Sequence, residues 1–145
     1  MADPQLVLLR TNVYVSAVKN PLKETETFRL IIHLLEDERF NLVGSDILAL
    51  ELLRYAEQFP SATAATLATA MLEKMLIVRV EERFIVACSP YFPPSSLADC
   101  LHAATCLQTG AVLVSNDRDF DKIRKAGLVD VLTTSEAIRR WLPRP

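Results

Sequence analysis

Along the chain, short apolar runs alternate with longer stretches in which apolar residues recur every three or four positions. Gln5–Leu9 predicts a strand. Glu24–Glu36, with Phe28, Ile31, Ile32 and Leu35 at helical spacing and acids at its start, predicts an amphipathic helix. Phe40–Val43 predicts a second strand, broken by Gly44-Ser45; Ser45 or Asp46 then caps a helix that runs to Gln58 and stops before Pro60. Ser61–Leu76, rich in Ala, Leu and Met, predicts another helix, followed by a strand over Ile77–Val80. Pro90, Pro93 and Pro94 mark Glu81–Pro94 as irregular. Ser96 caps a helix over Leu97–Thr109 that Gly110 ends. Ala111–Ser115 is an apolar strand, a short helix reaches Ala126, Leu128–Leu132 is a last strand, and a terminal helix begins near Thr134.

Strands separated by helices pair in parallel, because a parallel connection needs a long crossover. The expected class is therefore α/β, with a central parallel sheet of about five strands flanked by helices. No internal repeat or low-complexity linker divides the chain, so one domain over residues 1–145 is expected. Open parallel sheets bind ligands outside the carboxyl ends of their strands. That rule directs attention to Arg10-Thr11-Asn12, Gly44-Ser45-Asp46 and Asn116-Asp117, each just past a strand.

Composition removes several function classes. Three glycines in 145 residues leave no glycine-rich phosphate cradle. Cys88, Cys100 and Cys106 form no C-x-x-C pair, and His33 and His102 are far apart, so a structural zinc site is set aside and buried thiols are expected. No apolar run is long enough for a membrane span and no leader pattern opens the chain, so a cytoplasmic protein is expected. The formal net charge of −2 is uninformative about nucleic acid, because local patches bind phosphates whatever the mean.

The acids near strand ends each have two readings. Glu51, Arg54 and Gln58 form a solvated helical stripe, or Glu51 faces the site. Asp99 completes a Ser-x-x-Asp capping box with Ser96, or points to the strand ends to meet Glu51 and Asp117 around a cation. His102, one turn on, is a packed or solvated residue, or touches a phosphate or water. Asp117, Asp119 and Asp121 build a turn and cap a short helix, or supply hard oxygen ligands for a divalent ion. Gathered carboxylates repel one another unless a cation lies between them.

Ser96-Leu97-Ala98-Asp99-Cys100-Leu101-His102-Ala103-Ala104-Thr105, followed by Ala111-Val112-Leu113-Val114-Ser115-Asn116-Asp117-Arg118-Asp119-Phe120, resembles the C-terminal half of a PIN domain. Leu6 to Val13 resembles the family's opening strand and Asp-Thr-Asn turn, and Ser45 with Glu51-Leu52 resembles its second motif. The resemblance covers nearly the whole chain. It implies a three-layer Rossmann-like fold and a single-strand endoribonuclease site using Mg²⁺ or Mn²⁺, in a family rich in VapC-type toxins paired with antitoxins and in RNA-processing enzymes. By resemblance Glu51, Asp99 and Asp117 are catalytic acids and metal ligands, with Asp119 a further candidate. Thr11, Asn12, Ser115 and Asn116 are candidates for phosphate or backbone contacts. A homodimer, an RNA substrate and an antitoxin partner are implied in the same way.

The family's first acid is absent: Arg10 stands where the opening strand ends. Arg10, Glu51, Asp99 and Asp117 together carry −2, where four acids would carry −4. A divalent ion there has weaker ligands and a permanent cation beside it. Arg10 bridges the remaining acids and displaces the metal, swings to solvent, binds RNA phosphate, or is an introduced replacement that silences the enzyme. The alternative to a nuclease is a non-catalytic PIN-fold binding module for RNA or an antitoxin-like partner, with Ala62–Leu76 as a partner-facing helix or plain core. A phosphoacceptor signalling pocket is excluded, since it needs a carboxylate where Arg10 stands.

Overall fold

The computed structural model describes residues 3–20 and 25–144; Glu24, where the first amphipathic helix is expected to begin, lies outside the described residues. Five strands, β1 (Gln5–Leu9), β2 (Phe40–Gly44), β3 (Met75–Ile77), β4 (Val112–Val114) and β5 (Val131–Leu132), form one sheet in the order β3-β2-β1-β4-β5. Every neighbouring pair is parallel. The helices among the described residues are α1 (Thr11–Val18), α2 (Glu26–Glu36), α3 (Asp46–Gln58), α4 (Ala62–Lys74), α5 (Glu82–Cys88), α6 (Leu97–Thr109), α7 (Asp121–Lys125) and α8 (Thr134–Trp141). The expected α/β class with a five-stranded parallel sheet is what the chain adopts.

The inner strands are apolar because both faces are covered: Val7, Leu8, Leu42, Val43, Leu113 and Val114 are buried. The chain winds from β1 outward through β2 to β3, then returns past β1 to β4 and β5. Right-handed crossovers running in opposite directions lay their helices on opposite faces. Accordingly α1 to α4 pack among themselves with α8 on α2, while α5 packs on α6, which lies against β1, β2 and β4. The reversal creates a switch point between β1 and β4, the position at which such sheets open a crevice.

Several elements depart from the expected pattern. Helix α1 was not foreseen: it starts directly after β1, its cap residue Arg10 makes no capping bond, and Val13, Val15 and Val18 are β-branched. Burial stabilises it instead, with Val13, Tyr14, Ala17 and Val18 in the core and the Tyr14 hydroxyl donating to the Ala64 carbonyl at 2.8 Å. Strand β3 comes two residues earlier than Ile77–Val80, because pairing of Met75 with Leu42 and Ile77 with Gly44 sets its register. The bareness of Gly44 lets Leu48 and Met75 pack close there, since a Cβ would lie 2.6 Å from Leu48 Cδ2 and 3.0 Å from Met75 Sδ and would push those side chains aside. The segment expected to be irregular contains α5; its first proline, Pro90, falls beyond Cys88 and so follows the helix without preventing it. Strand β5 keeps only Val131 and Leu132 of the expected run, while Val129 is buried without pairing.

Two caps hold the helical layer. Lys74, the last residue of α4, donates from Nζ to the carbonyls of Leu34 (2.6 Å), Leu35 (3.0 Å) and Asp37 (3.0 Å), closing the carboxyl end of α2. Burial pushes this ammonium's pKa down. Thr133 and Glu136 form a capping box at the start of α8, and Glu136 also receives both arms of Arg124, at 2.8 and 2.7 Å. Cys88, Cys100 and Cys106 are free and buried, as expected, and burial raises their thiols, Cys88 to about 11. Among the described residues no helix is long and apolar enough to cross a membrane.

Candidate active site

Arg10 is the first residue past β1, and Ser115 is the first past β4; the Arg10 amide continues the ladder to the Val114 carbonyl at 3.0 Å. Arg10 therefore stands at the switch point by backbone pairing alone. Its guanidinium is mostly covered and splits its donors between two helices. Nε and Nη2 both reach Asp99 Oδ1 on α6, at 3.2 and 2.9 Å, and Nη1 reaches Glu51 Oε1 on α3 at 3.2 Å. Residues 41 and 89 positions away in the chain are thus joined through one side chain.

Glu51 is not on a solvated stripe. Its Oε1 also accepts from Thr11 Oγ1 at 3.4 Å and lies 3.0 Å from Nε2 of His102, which is fully buried. A carboxylate only accepts, so Nε2 carries the shared proton. Burial pushes the Glu51 carboxyl up, but the hydrogen bond and electrostatic pull of His102, aided by Arg10 and Thr11, outweigh it and leave the pKa lowered. The sequence offers His102 as packed or solvated, or as touching a phosphate or water; its spacing three residues after Asp99 is the available signal for the site. The capping box does not form either: Ser96 makes no side-chain capping bond and the Asp99 carboxylate is held by Arg10.

At the other end of the rim, Asp99, Asp117 and Asp119 each offer an oxygen within 4.8 Å of the others. Asp117 sits past β4, where its amide donates to the buried Ser115 Oγ at 3.0 Å, and its Oδ1 accepts from the Asp119 amide at 3.0 Å. The turn and the acid cluster are one structure. The charges of Asp117 and Asp99 hold the exposed Asp119 carboxyl above its ordinary pKa. Asp121 begins α7 outside this group.

Each remaining candidate has an internal partner. Thr11 faces Glu51, Asn12 Nδ2 reaches Ser115 Oγ at 3.5 Å, and Asn116 Oδ1 accepts from the Thr134 amide at 2.9 Å. The oxygen donors of Asp99, Asp117 and Asp119 fit a hard divalent ion, and their mutual repulsion favours one. The seat between Glu51 and Asp99 does not fit such an ion, because the guanidinium fills it.

Comparisons with known proteins bear on the fold and the family. The sequence model of the PIN domain matches residues 7–126. Among solved structures, the chain resembles VapBC2 from Rickettsia felis bound to a promoter DNA fragment, with TM-score 0.63, 16% identity, and 89% of this chain and 98% of that chain covered. It also resembles VapBC-1 from nontypeable Haemophilus influenzae, with TM-score 0.62, 16% identity and coverage of 90% and 99%. A third is FitAcB from Neisseria gonorrhoeae, with TM-score 0.58, 18% identity and coverage of 89% and 98%. No curated protein matches by sequence. Identities this low show a shared fold; the family match runs from within β1 past α7 and takes in Arg10 and all four acids, and the chain belongs to the PIN domain family.

Proposed function

We propose that this PIN domain is an RNA-directed phosphodiesterase scaffold of the single-strand endoribonuclease class, held idle by its own Arg10. The observation that carries the reading is the gathering of Arg10, Glu51, Asp99, Asp117 and Asp119 at the β1–β4 switch point. Asp99, Asp117 and Asp119 are the residues to hold Mg²⁺ or Mn²⁺. When bound, such an ion polarises a phosphoryl oxygen and lowers the pKa of a water.

The chain's own residues do the rest. Asp99 is shared between the two ends of the rim, and the donors on its Oδ1 draw electron density from the carboxylate, weakening it as a ligand for an ion on the other side. Glu51, the other acid suited to orient an attacking water, has its Oε1 committed to Arg10, Thr11 and His102. Arg10 thus neutralises one acid and occupies another, which keeps the fold and removes the base.

Replacing Arg10 with Asp tests this. The Arg10→Asp variant is expected to gain saturable thermal stabilisation by Mn²⁺, about 2.7 kcal/mol at a hundredfold excess over Kd, together with cleavage of single-stranded RNA. A variant that binds Mn²⁺ no better than the parent and cuts nothing overturns the reading. The same Arg10 contacts favour a second function, a PIN-fold module that binds RNA or an antitoxin-like protein without turnover; cleavage by the parent chain would exclude it. An antitoxin partner is supported by the VapBC and FitAcB structures among the structural neighbours. A homodimer, a cytoplasmic setting and one domain over residues 1–145 complete the proposal, with light scattering as the check on the dimer.

A further inference from the structure

His102 lies one turn past Asp99 on α6, the helix that packs against β1, β2 and β4. Nothing of it reaches solvent, and Ala103, Ala104, Thr105 and Cys106 beside it are buried as well. Its ring makes one hydrogen bond, from Nε2 to Glu51 Oε1 at 3.0 Å, while Nδ1 is buried without a partner. An unpaired buried polar atom is costly, and an apolar ring of similar volume would avoid that cost. Packing therefore does not account for an imidazole at this position; the bond to Glu51 does.

Three groups approach Glu51 Oε1: His102 Nε2 at 3.0 Å, Arg10 Nη1 at 3.2 Å and Thr11 Oγ1 at 3.4 Å. The Thr11 distance is long for a hydroxyl donor, and the Arg10 side chain is partly exposed. His102 is the nearest donor and the only one of the three with no exposure to solvent. Glu51 Oε2 accepts no hydrogen bond among the described residues and is not sealed from solvent. One oxygen of this acid is thus pinned from inside the molecule, and the other is left open. Because α6 also carries Asp99, whose oxygen joins those of Asp117 and Asp119, one packed helix sets Glu51 relative to the acid cluster.

We infer that His102 is a positioning residue: its Nε2–H holds Glu51 Oε1 and leaves Oε2 to orient the water that attacks a phosphodiester at the acids. The inference rests on the RNA-directed reading above and gives the buried imidazole a part that outlasts Arg10. When Asp replaces Arg10, His102 is the remaining donor to Glu51 at ordinary hydrogen-bond distance among the described residues. A carboxylate that orients water is useful only while it is held to about 1 Å, and a shift of that size costs about 100-fold in rate.

The Arg10→Asp chain is the background for the test, with cleavage of single-stranded RNA followed at saturating Mn²⁺. There His102→Phe, which keeps a ring and removes the donor, is expected to lower kcat about 10–100-fold. KM and Mn²⁺ affinity should each change by less than about twofold, since neither binding group is touched. His102→Gln, whose amide nitrogen can take the place of Nε2, should recover most of the lost kcat. His102→Asn, whose amide stops short of Glu51, should not, and the contrast between Gln and Asn decides the matter if the Phe variant fails to fold. In the parent chain, nitrogen NMR should find the His102 proton on Nε2 and slow to exchange with solvent. A proton on Nδ1 with Nε2 bare overturns the inference. So does a Phe or Asn variant that cuts as fast as an active Arg10→Asp chain, or an equal loss in Gln and Asn that tracks their melting temperatures, which makes His102 a packing residue. In each of those cases the RNA-directed reading stands, whereas an Arg10→Asp chain that cuts nothing overturns that reading and this inference together.

Discussion

At the Glu51 end of the rim one carboxylate oxygen lies within hydrogen-bonding distance of Arg10, Thr11 and a buried histidine, and its pKa is lowered. At the Asp119 end an exposed carboxylate faces two others and makes no ion pair among the described residues, and its pKa is raised. Asp99 belongs to both. The difference teaches that charge sign alone does not define a metal site: two acidic ends of one rim differ in whether the chain itself has already supplied the counter-charge.

The strongest way to break the comparison is to remove that counter-charge. Arg10→Asp, measured by urea unfolding without metal, should lose about 1–3 kcal/mol, less than a fully buried pair because the guanidinium retains some exposure. Mn²⁺ should restore part of the loss in the variant. Next in size is Glu51→Gln, expected to cost about 1–2 kcal/mol at neutral pH by weakening the charge-assisted bonds from Arg10 and His102. Because the folded pKa of Glu51 is lowered, its stabilisation is present above its ordinary 4.5 and is lost as the pH falls through the folded value. The variant's stability profile should therefore be flatter in acid than the parent's.

A surface pair calibrates these effects. Arg124, with the Thr133 amide, holds Glu136 down to about 2, so its contribution should fade between pH 4.5 and 2. Glu136→Gln should cost about 0.5–1 kcal/mol at neutral pH by urea unfolding, given the exposure of the pair. The smallest expected change sharpens the other end: Asp119→Asn should stay within about 0.5 kcal/mol of the parent and on the stabilising side at neutral pH. A raised folded pKa means that stability present below the ordinary 3.8 is lost as the pH rises through the folded value, and the amide escapes that loss. A destabilised Asp119→Asn would show that Asp119 supports the turn more than it suffers repulsion.

Much of this molecule was legible in its residues. Strand–helix alternation gave the parallel sheet, and Ala111–Ser115 with Asn116-Asp117 marked the rim, because apolar runs followed by turn residues carry local information. What escaped was set by distant partners. Helix α1 has weak formers and no capping bond, and depends on burial and on Tyr14 reaching Ala64, fifty positions on. Met75–Ile77 differs from the expected Ile77–Val80 because pairing to β2 chose the register. Spacing left Glu51 between a solvated stripe and the site, and Asp99 between a capping box and the strand ends; distant contacts to Arg10 and His102 decide both, and of the readings open for Arg10 the bridge between these two acids is the one found. Pattern finds faces; it does not find which side chain crosses to meet another.

Lys74 lends the protein a reporter of its own integrity. With its ammonium committed to three carbonyls at the end of α2, it should resist acylating reagents that quickly modify lysines free in solvent. Loss of that resistance, followed by mass spectrometry, would register the parting of α2 from α4 before the whole molecule comes undone.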